Sequence, residues 1–200
     1  MSEDFDRRGA EAKVRFGTLF GHDIIVKERE PKAYRIGELD LSLRQSRTKA
    51  EARALITAAR HGAHVPQVLH AGRSILIMER MPGKLLKDFK ASPTTHREIG
   101  RTLASIHSAG IAHGDFTPAN VIIHNGRPAV IDFGLAVFSR DPEELAIDLL
   151  LMKRSIGDSM FRHVLSGYQA HERWKAVHER MLDIDQRGRY KLRTEDDEQD

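Results

Sequence analysis

The chain of 200 residues contains no cysteine. Disulfides and thiolate metal sites are therefore excluded, and a reducing, cytoplasmic setting is the natural expectation. It also lacks any run approaching the roughly twenty apolar residues of a membrane span, and its first residues are charged rather than signal-like. No membrane association is expected. Internal repeats and long low-complexity tracts are absent too. The 11 histidines, among them His22, His61, His64, His70 and His96, are scattered without metal-ligand spacing, which speaks against zinc. What remains is globular material: 40% hydrophobic residues over this length suffice for one sizeable domain or two small lobes packed together. A formal charge of +3 and a pI near 9.3 permit contact with nucleic acid without demanding it.

Two acidic segments carry the chemistry. His113-Gly114-Asp115-Phe116-Thr117-Pro118-Ala119-Asn120 has the H-x-D-(four residues)-N spacing of a kinase catalytic loop, and Ile131-Asp132-Phe133-Gly134 contains a D-F-G metal-binding motif. Between them lie a strand-like Val121-Ile122-Ile123 and an Asn125-Gly126 turn, so a tight hairpin is expected to bring the two together. Phosphoryl transfer needs a carboxylate beside the attacking hydroxyl or water, and oxygen ligands that hold magnesium across the phosphates. Asp115 fits the first role; Asn120 and Asp132 fit the second. A lone D-F-G is a weak signal, but the ordered pair is a strong one.

The pattern along the chain predicts a small strand-rich half followed by a helical half. Val14 to Phe20 and Ile24 to Lys27 suggest a hairpin around Gly21-His22-Asp23. Leu43 to Arg60 reads as a helix with Ala50, Ala54, Leu55 and Ala58 on one face. Val68 to Ala71 and Ser74 to Met78 look like strands, and Pro82-Gly83 marks the change of character. Ile99, Leu103 and Ile106 then recur at helical spacing, and Glu143 to Ile156 and Phe161 to Leu182 read as later helices. The expectation is an α+β, minimal two-lobed protein-kinase-like fold: a β-rich N-lobe over residues 1–81, a reduced helical C-lobe over 82–186, and a basic then acidic tail over 187–200. Thr194 to Asp200, five of them acidic and none apolar, are expected to be disordered.

Such a site requires an early-strand lysine on the α- and β-phosphates, oriented by a helix glutamate. Lys27, ending Ile24-Ile25-Val26-Lys27, is the candidate, with Glu51 as its partner and Glu38 as the rival. Met78, Glu79 and Met81 lie where a strand runs into the linker that would meet adenine. The phosphate-covering loop departs from G-x-G-x-x-G: Gly9-Ala10-Glu11-Ala12-Lys13 offers one glycine, and Glu11 brings negative charge near phosphates. Only seven residues, Leu135 to Asp141, separate Gly134 from Pro142, which leaves no activation segment and little room to dock a peptide. Asp148, in the apolar run Ala146 to Leu150, is expected to support the loop at His113 by accepting backbone N–H bonds, because a buried charge is costly unless hydrogen-bonded.

Taken together, these segments resemble a known family, the small atypical kinase of the KEOPS (EKC) complex, the PRPK-like proteins. The matching signatures are Gly9-Ala10-Glu11-Ala12, the Arg47-to-Ala54 helix, His113-Gly114-Asp115 through Asn120, Asp132-Phe133-Gly134, Ala146-Ile147-Asp148 and Arg187-Gly188-Arg189. The resemblance spans essentially the whole chain. It implies a Mg-ATP-dependent atypical serine/threonine kinase that acts mainly as an ATPase. It also implies a partner metalloprotein of the threonylcarbamoyl-transferase type, other KEOPS subunits, and tRNA reached through the complex, whose product is threonylcarbamoyl-adenosine. A tail of Arg187, Arg189, Lys191 and Arg193 is expected to contact tRNA or a partner, although Tyr190 stands where the family often continues with a basic residue. Three alternatives stay open: a RIO-like kinase, against which the D-F-G motif and the Gly9-to-Ala12 loop speak; a small-molecule phosphotransferase; and a non-catalytic pseudokinase.

Overall fold

Short alternating segments at the N-terminal end of the chain assemble into one twisted antiparallel sheet. The computed structural model describes the backbone of residues 7–8, 12–32 and 34–197, and the side chains within 12–32 and 34–187. Strand β1 (Arg7–Arg8) pairs with β2 (Lys13–Leu19), which turns back into β3 (His22–Glu28). The turn residues Phe20 and Gly21 both take left-handed backbone, with φ of 49° and 80°, the handedness that suits a two-residue hairpin. Helix α1 (Gly37–Arg60) follows, then β4 (Val68–Ala71) and β5 (Ile75–Glu79), giving the order β1-β2-β3-β5-β4. Leu76 and Met78 of central β5 are buried, as its apolar composition demands.

Beyond Pro82 the chain forms β6 (Lys84–Leu85) and α2 (Pro93–Ser108). Ser92 caps α2 by accepting the Thr95 N–H at 3.1 Å, with Pro93 in the first turn. Then come β7 (Ile111–Ala112), the loop with Asp115, β8 (Val121–His124) and β9 (Arg127–Val130). Asn125 and Gly126 between the last two carry φ of 50° and 75°, and the hairpin is as tight as the Asn-Gly pair requires. Strand β10 (Val137–Phe138) pairs with β7, and helices α3 (Pro142–Ile156), α4 (Asp158–Tyr168) and α5 (Trp174–Asp197) complete the larger lobe. Helices α2 and α4 touch through glycine: a Cβ at Gly100 would run into the Val164 carbonyl, and one at Gly167 into that of Arg97. A single apolar core runs from Leu55 and Leu76 in the small lobe to Ile99, Leu103, Leu149 and Val164 in the large one.

Three boundaries differ from the sequence reading. Helix α1 begins at Gly37, not Leu43; its N-cap Ile36 offers no capping side chain, so the start carries no sequence signal. The segment Phe161 to Leu182 is two helices. The chain turns between Tyr168 and Trp174, with the His171 N–H bonded to the Tyr168 carbonyl at 2.9 Å, because α4 packs on α2 while α5 packs on α3. Finally, Thr194 to Asp197, expected to be disordered, continue the backbone of helix α5; residues 198–200 lie outside the described residues.

Candidate active site

The two lobes meet around a cleft of about 620 Å³, within the size range of small-ligand sites. Its apolar wall comes from Val14, Phe16, Ile25 and Met78, and its inner end from Lys27, Glu51, Asn120 and Asp132. Pairing of β3 with β5 sets Ile25 against Met78 and Lys27 against Leu76, so the period-2 alternation that turns the partly buried Ile25 to the cleft also turns Lys27 there. Glu79 and Met81 line the connection between the lobes. Arg80 stacks over the Phe16 ring at 4.8 Å, and the sequence reading missed this contact.

Lys27 is buried and makes two ion pairs, from Nζ to Glu51 Oε1 at 2.7 Å and to Asp132 Oδ1 at 2.6 Å. Burial works against its charge, but the Glu51 and Asp132 carboxylates outweigh it and hold the ammonium above its usual pKa. Asp132 is pulled the opposite way: partial burial opposes ionisation, yet Lys27 and the Gly134 N–H hold it below the ordinary carboxylate value. Glu38, the rival for the lysine, is exposed in the first turn of α1. It lies about 20 Å from Glu51 along the helix axis at 1.5 Å per residue.

Asp115 does not itself line the cleft; it is tied to it through Asn120, which does. The Asn120 Nδ2 donates to the Asp115 carbonyl at 2.9 Å and to its carboxylate Oδ2 at 2.8 Å. With the amide nitrogen so engaged, the Asn120 Oδ1 is the end available to a cation. Asn120 and Asp132 are thus hard oxygen donors of the kind magnesium takes. Among the described residues no cluster of three or more acidic, histidine or cysteine side chains could hold a metal unaided. Two donors on one cleft fit a magnesium ion that completes its shell with phosphate and water.

The loop is held from below. Asp148, fully buried on α3, accepts the His113 N–H at 2.6 Å and the Gly114 N–H at 2.9 Å. Gly114 has φ of 80°, and a Cβ there would meet the Leu135 carbonyl, so only glycine fits the turn. The His113 ring accepts the Asp115 N–H on Nδ1 at 3.3 Å and lies 3.1 Å through Nε2 from the Ile131 carbonyl. Nε2 therefore carries the proton, and burial keeps the neutral form by lowering the pKa. His107 extends the network, with Nε2 3.1 Å from Asp148 and Nδ1 2.7 Å from the Tyr168 hydroxyl. Burial and the nearby Asp148 charge push the Tyr168 phenol pKa upward. His107 and Tyr168 were missed because each reads as ordinary helix material.

Arg29 was missed as well. It donates to Glu51 Oε2 at 2.6 Å, and its one signal was the strand alternation carried two residues past Lys27. Of the other sequence candidates, Ala12 is buried just before β2, Lys13 opens that strand, and neither lines the cleft. Gly9, Ala10 and Glu11 lie outside the described residues. Arg187 is exposed on α5; Arg189, Lys191 and Arg193 lie on the same helix, their side chains outside the described set.

A family model described as a RIO domain matches residues 26–162. The chain is 39% identical over 188 residues to the probable serine/threonine-protein kinase BUD32 homolog of Archaeoglobus fulgidus, spanning 91% of this chain and 94% of that one. It is 37% identical to the KEOPS complex subunit Bud32 of Pyrococcus abyssi, spanning 94% and 96%. The chain belongs to the Bud32 family of RIO-type kinases. A third relative, a probable bifunctional tRNA threonylcarbamoyladenosine biosynthesis protein of Methanothermobacter thermautotrophicus, is 36% identical over 95% of this chain but only 37% of its own length. In fold, this Bud32-family chain resembles the Rio2 kinase of Chaetomium thermophilum solved as an ADP/Mg2+-phosphoaspartate complex, with a TM-score of 0.62 at 14% identity, covering 92% and 70% of the two chains. The RIO-like and Bud32-like assignments of this chain thus fall within a single domain family.

Proposed function

We propose that the chain is a Mg-ATP-dependent phosphotransferase acting mainly as an ATPase within a KEOPS-type complex that makes threonylcarbamoyl-adenosine in tRNA. The observation that carries this reading is the Glu51–Lys27–Asp132 ion-pair chain at the inner end of the cleft, with Asn120 linking it to Asp115. Adenine stacks against Met78 and meets the linker at Glu79 and Met81. Lys27 grips the α- and β-phosphates, held by Glu51. Asn120 and Asp132 hold magnesium, which neutralises charge on the phosphates. Asp115 orients the attacking water and takes its proton as the oxygen–γ-phosphorus bond forms and the bond to ADP breaks. The phosphate-covering role of residues 9–13 rests on the sequence pattern alone. Asp148 and His113 keep the loop in shape.

The partner in this reading is a metalloprotein of the threonylcarbamoyl-transferase type, and the basic run Arg187, Arg189, Lys191 and Arg193 faces tRNA or that partner. The names of the Pyrococcus and Methanothermobacter relatives support the complex and the tRNA product. The test is ADP release by the purified chain alone, with the metalloprotein, and with tRNA added. Turnover that rises on each addition supports the ATPase reading. No magnesium-dependent ADP release under any condition returns the chain to a non-catalytic binding role.

A further inference from the structure

Glu51 is shared by two cations. Lys27 holds Oε1 at 2.7 Å, and Arg29 holds Oε2 at 2.6 Å. Arg29 is 3% exposed, its second terminal nitrogen lies 3.5 Å from the Thr48 hydroxyl, and its Nε has no hydrogen-bond partner among the described residues. A buried arginine with an unsatisfied N–H is a poor choice for stability alone, since burying the charge costs solvation that its partners must return. The guanidinium also sits beside the D-F-G glycine: a Cβ built on Gly134 would be 3.8 Å from it and 3.5 Å from the Lys27 ammonium.

Arg29 heads a polar stripe along α1. Asp40, Arg44, Thr48 and Glu51 recur at helical spacing on the face turned to the sheet. Arg44 donates to Asp40 at 2.6 Å and to the Arg29 carbonyl at 3.4 Å, and Asp40 accepts the Lys32 N–H at 3.3 Å. The N-terminal half of α1 is thus fastened to the exit of β3 by charge. In larger kinases the placement of this helix, and with it the Lys–Glu pair, is controlled by a phosphorylated activation segment. Here only seven residues follow Gly134 before Pro142.

We propose that Arg29 is a positioning residue for phosphoryl transfer, holding Glu51 Oε2 so that Oε1 keeps Lys27 aimed at the phosphates. When Asp132 turns to magnesium, Lys27 exchanges that contact for phosphate and shares its charge between phosphate and Glu51, and Arg29 keeps the buried Glu51 fully paired. Without it, Glu51 is fixed by Lys27 alone and loses the second anchor that sets its carboxylate. With Arg29 in place the Lys27–Glu51 pair is held assembled without an activation segment. This assignment rests on the nucleotide-site reading of Lys27.

The experiment is a double-mutant cycle on the full chain, with kcat and KM for Mg-ATP measured well below each variant's melting temperature. Arg29→Met should lower kcat/KM by about tenfold or more, and Arg29→Lys, which keeps the charge but not the fork, should restore part of it. In a Glu51→Gln background the same Arg29→Met change should have less than about a twofold effect, because the charge it serves is gone. Should Arg29→Met fail to fold, Arg29→Lys is run through the same cycle. Wild-type kcat and KM in the Arg29 variants, while Lys27→Met loses turnover, would overturn the assignment and leave the nucleotide site standing. So would an equal loss with and without Glu51. Full turnover in Lys27→Met would remove the nucleotide-site reading, and this proposal with it.

Discussion

At the scale of single residues, the most consequential contacts are those made by groups that never touch the cleft. Asp148 satisfies two backbone donors at the head of the Asp115 loop, and it is fully buried. Asp148→Ala should strand both, at about 1–3 kcal/mol each. The melting temperature should fall by several degrees and turnover should fall with it, as calorimetry and ADP release would show; a variant with unchanged melting and turnover would mean that the loop holds its shape unaided. His113 adds a pH dependence. Its pKa is lowered by burial, so the folded chain resists the proton that the unfolded chain accepts below about pH 6.5. The unfolded state then binds more protons, and stability must fall as the pH drops from that value. His163, His171 and His178, also lowered chiefly by burial, act in the same direction. His113→Asn, whose Oδ1 can replace the Nδ1 acceptor, should flatten the slope of melting temperature between about pH 7 and pH 5. An unaltered slope would assign the dependence to the other histidines.

At the scale of elements, the short path from Gly134 to α3 decides what can be phosphorylated. The path is pinned: β10 pairs with β7, the Ser139 N–H bonds the Gly110 carbonyl at 3.0 Å, and Arg53 of α1 stacks over Phe138 at 4.4 Å. Nothing there extends to hold a peptide hydroxyl in line with a γ-phosphate, and positioning of that kind can account for roughly 7–11 kcal/mol of a barrier. Short free peptides should therefore be poor acceptors; efficient, sequence-selective phosphorylation in a peptide array would contradict this. Elements with strong local chemistry were legible in the sequence. The Asn125-Gly126 hairpin and the helix from Pro142 are set by turn residues, a cap and apolar period, and the loop around Asp115 is set by motif spacing. What was not legible depends on tertiary context. The first turns of α1 have no cap and are held by the Asp40–Arg44–Arg29 contacts, and the break after Tyr168 exists because α4 and α5 pack on different helices. Arg29 and His107 became visible only when strand and loop were folded over them.

At the scale of the whole molecule, the basic run at 187–193 lies on a helix that starts at Trp174 against α3, where Asp185 pairs with Lys153 at 2.7 Å. That places it on the large lobe rather than on a free tail. Removing residues 187–200 should weaken tRNA binding or tRNA-stimulated turnover, and the lost portion should be salt-sensitive because phosphate contacts release counterions. Nucleotide binding should be nearly unchanged, and equal tRNA response in the shortened chain would dismiss the role. In the proposed function, Asp115 and Asp132 divide base and metal work in one ATP-hydrolysing site. The direct measurement is ADP release by the wild-type, Asp115→Asn and Asp132→Ala chains, with nucleotide binding followed in parallel. Asp132→Ala should abolish magnesium-dependent turnover, whereas Asp115→Asn should bind nucleotide normally and turn over about 10²-fold more slowly. Wild-type turnover in Asp115→Asn would contradict it.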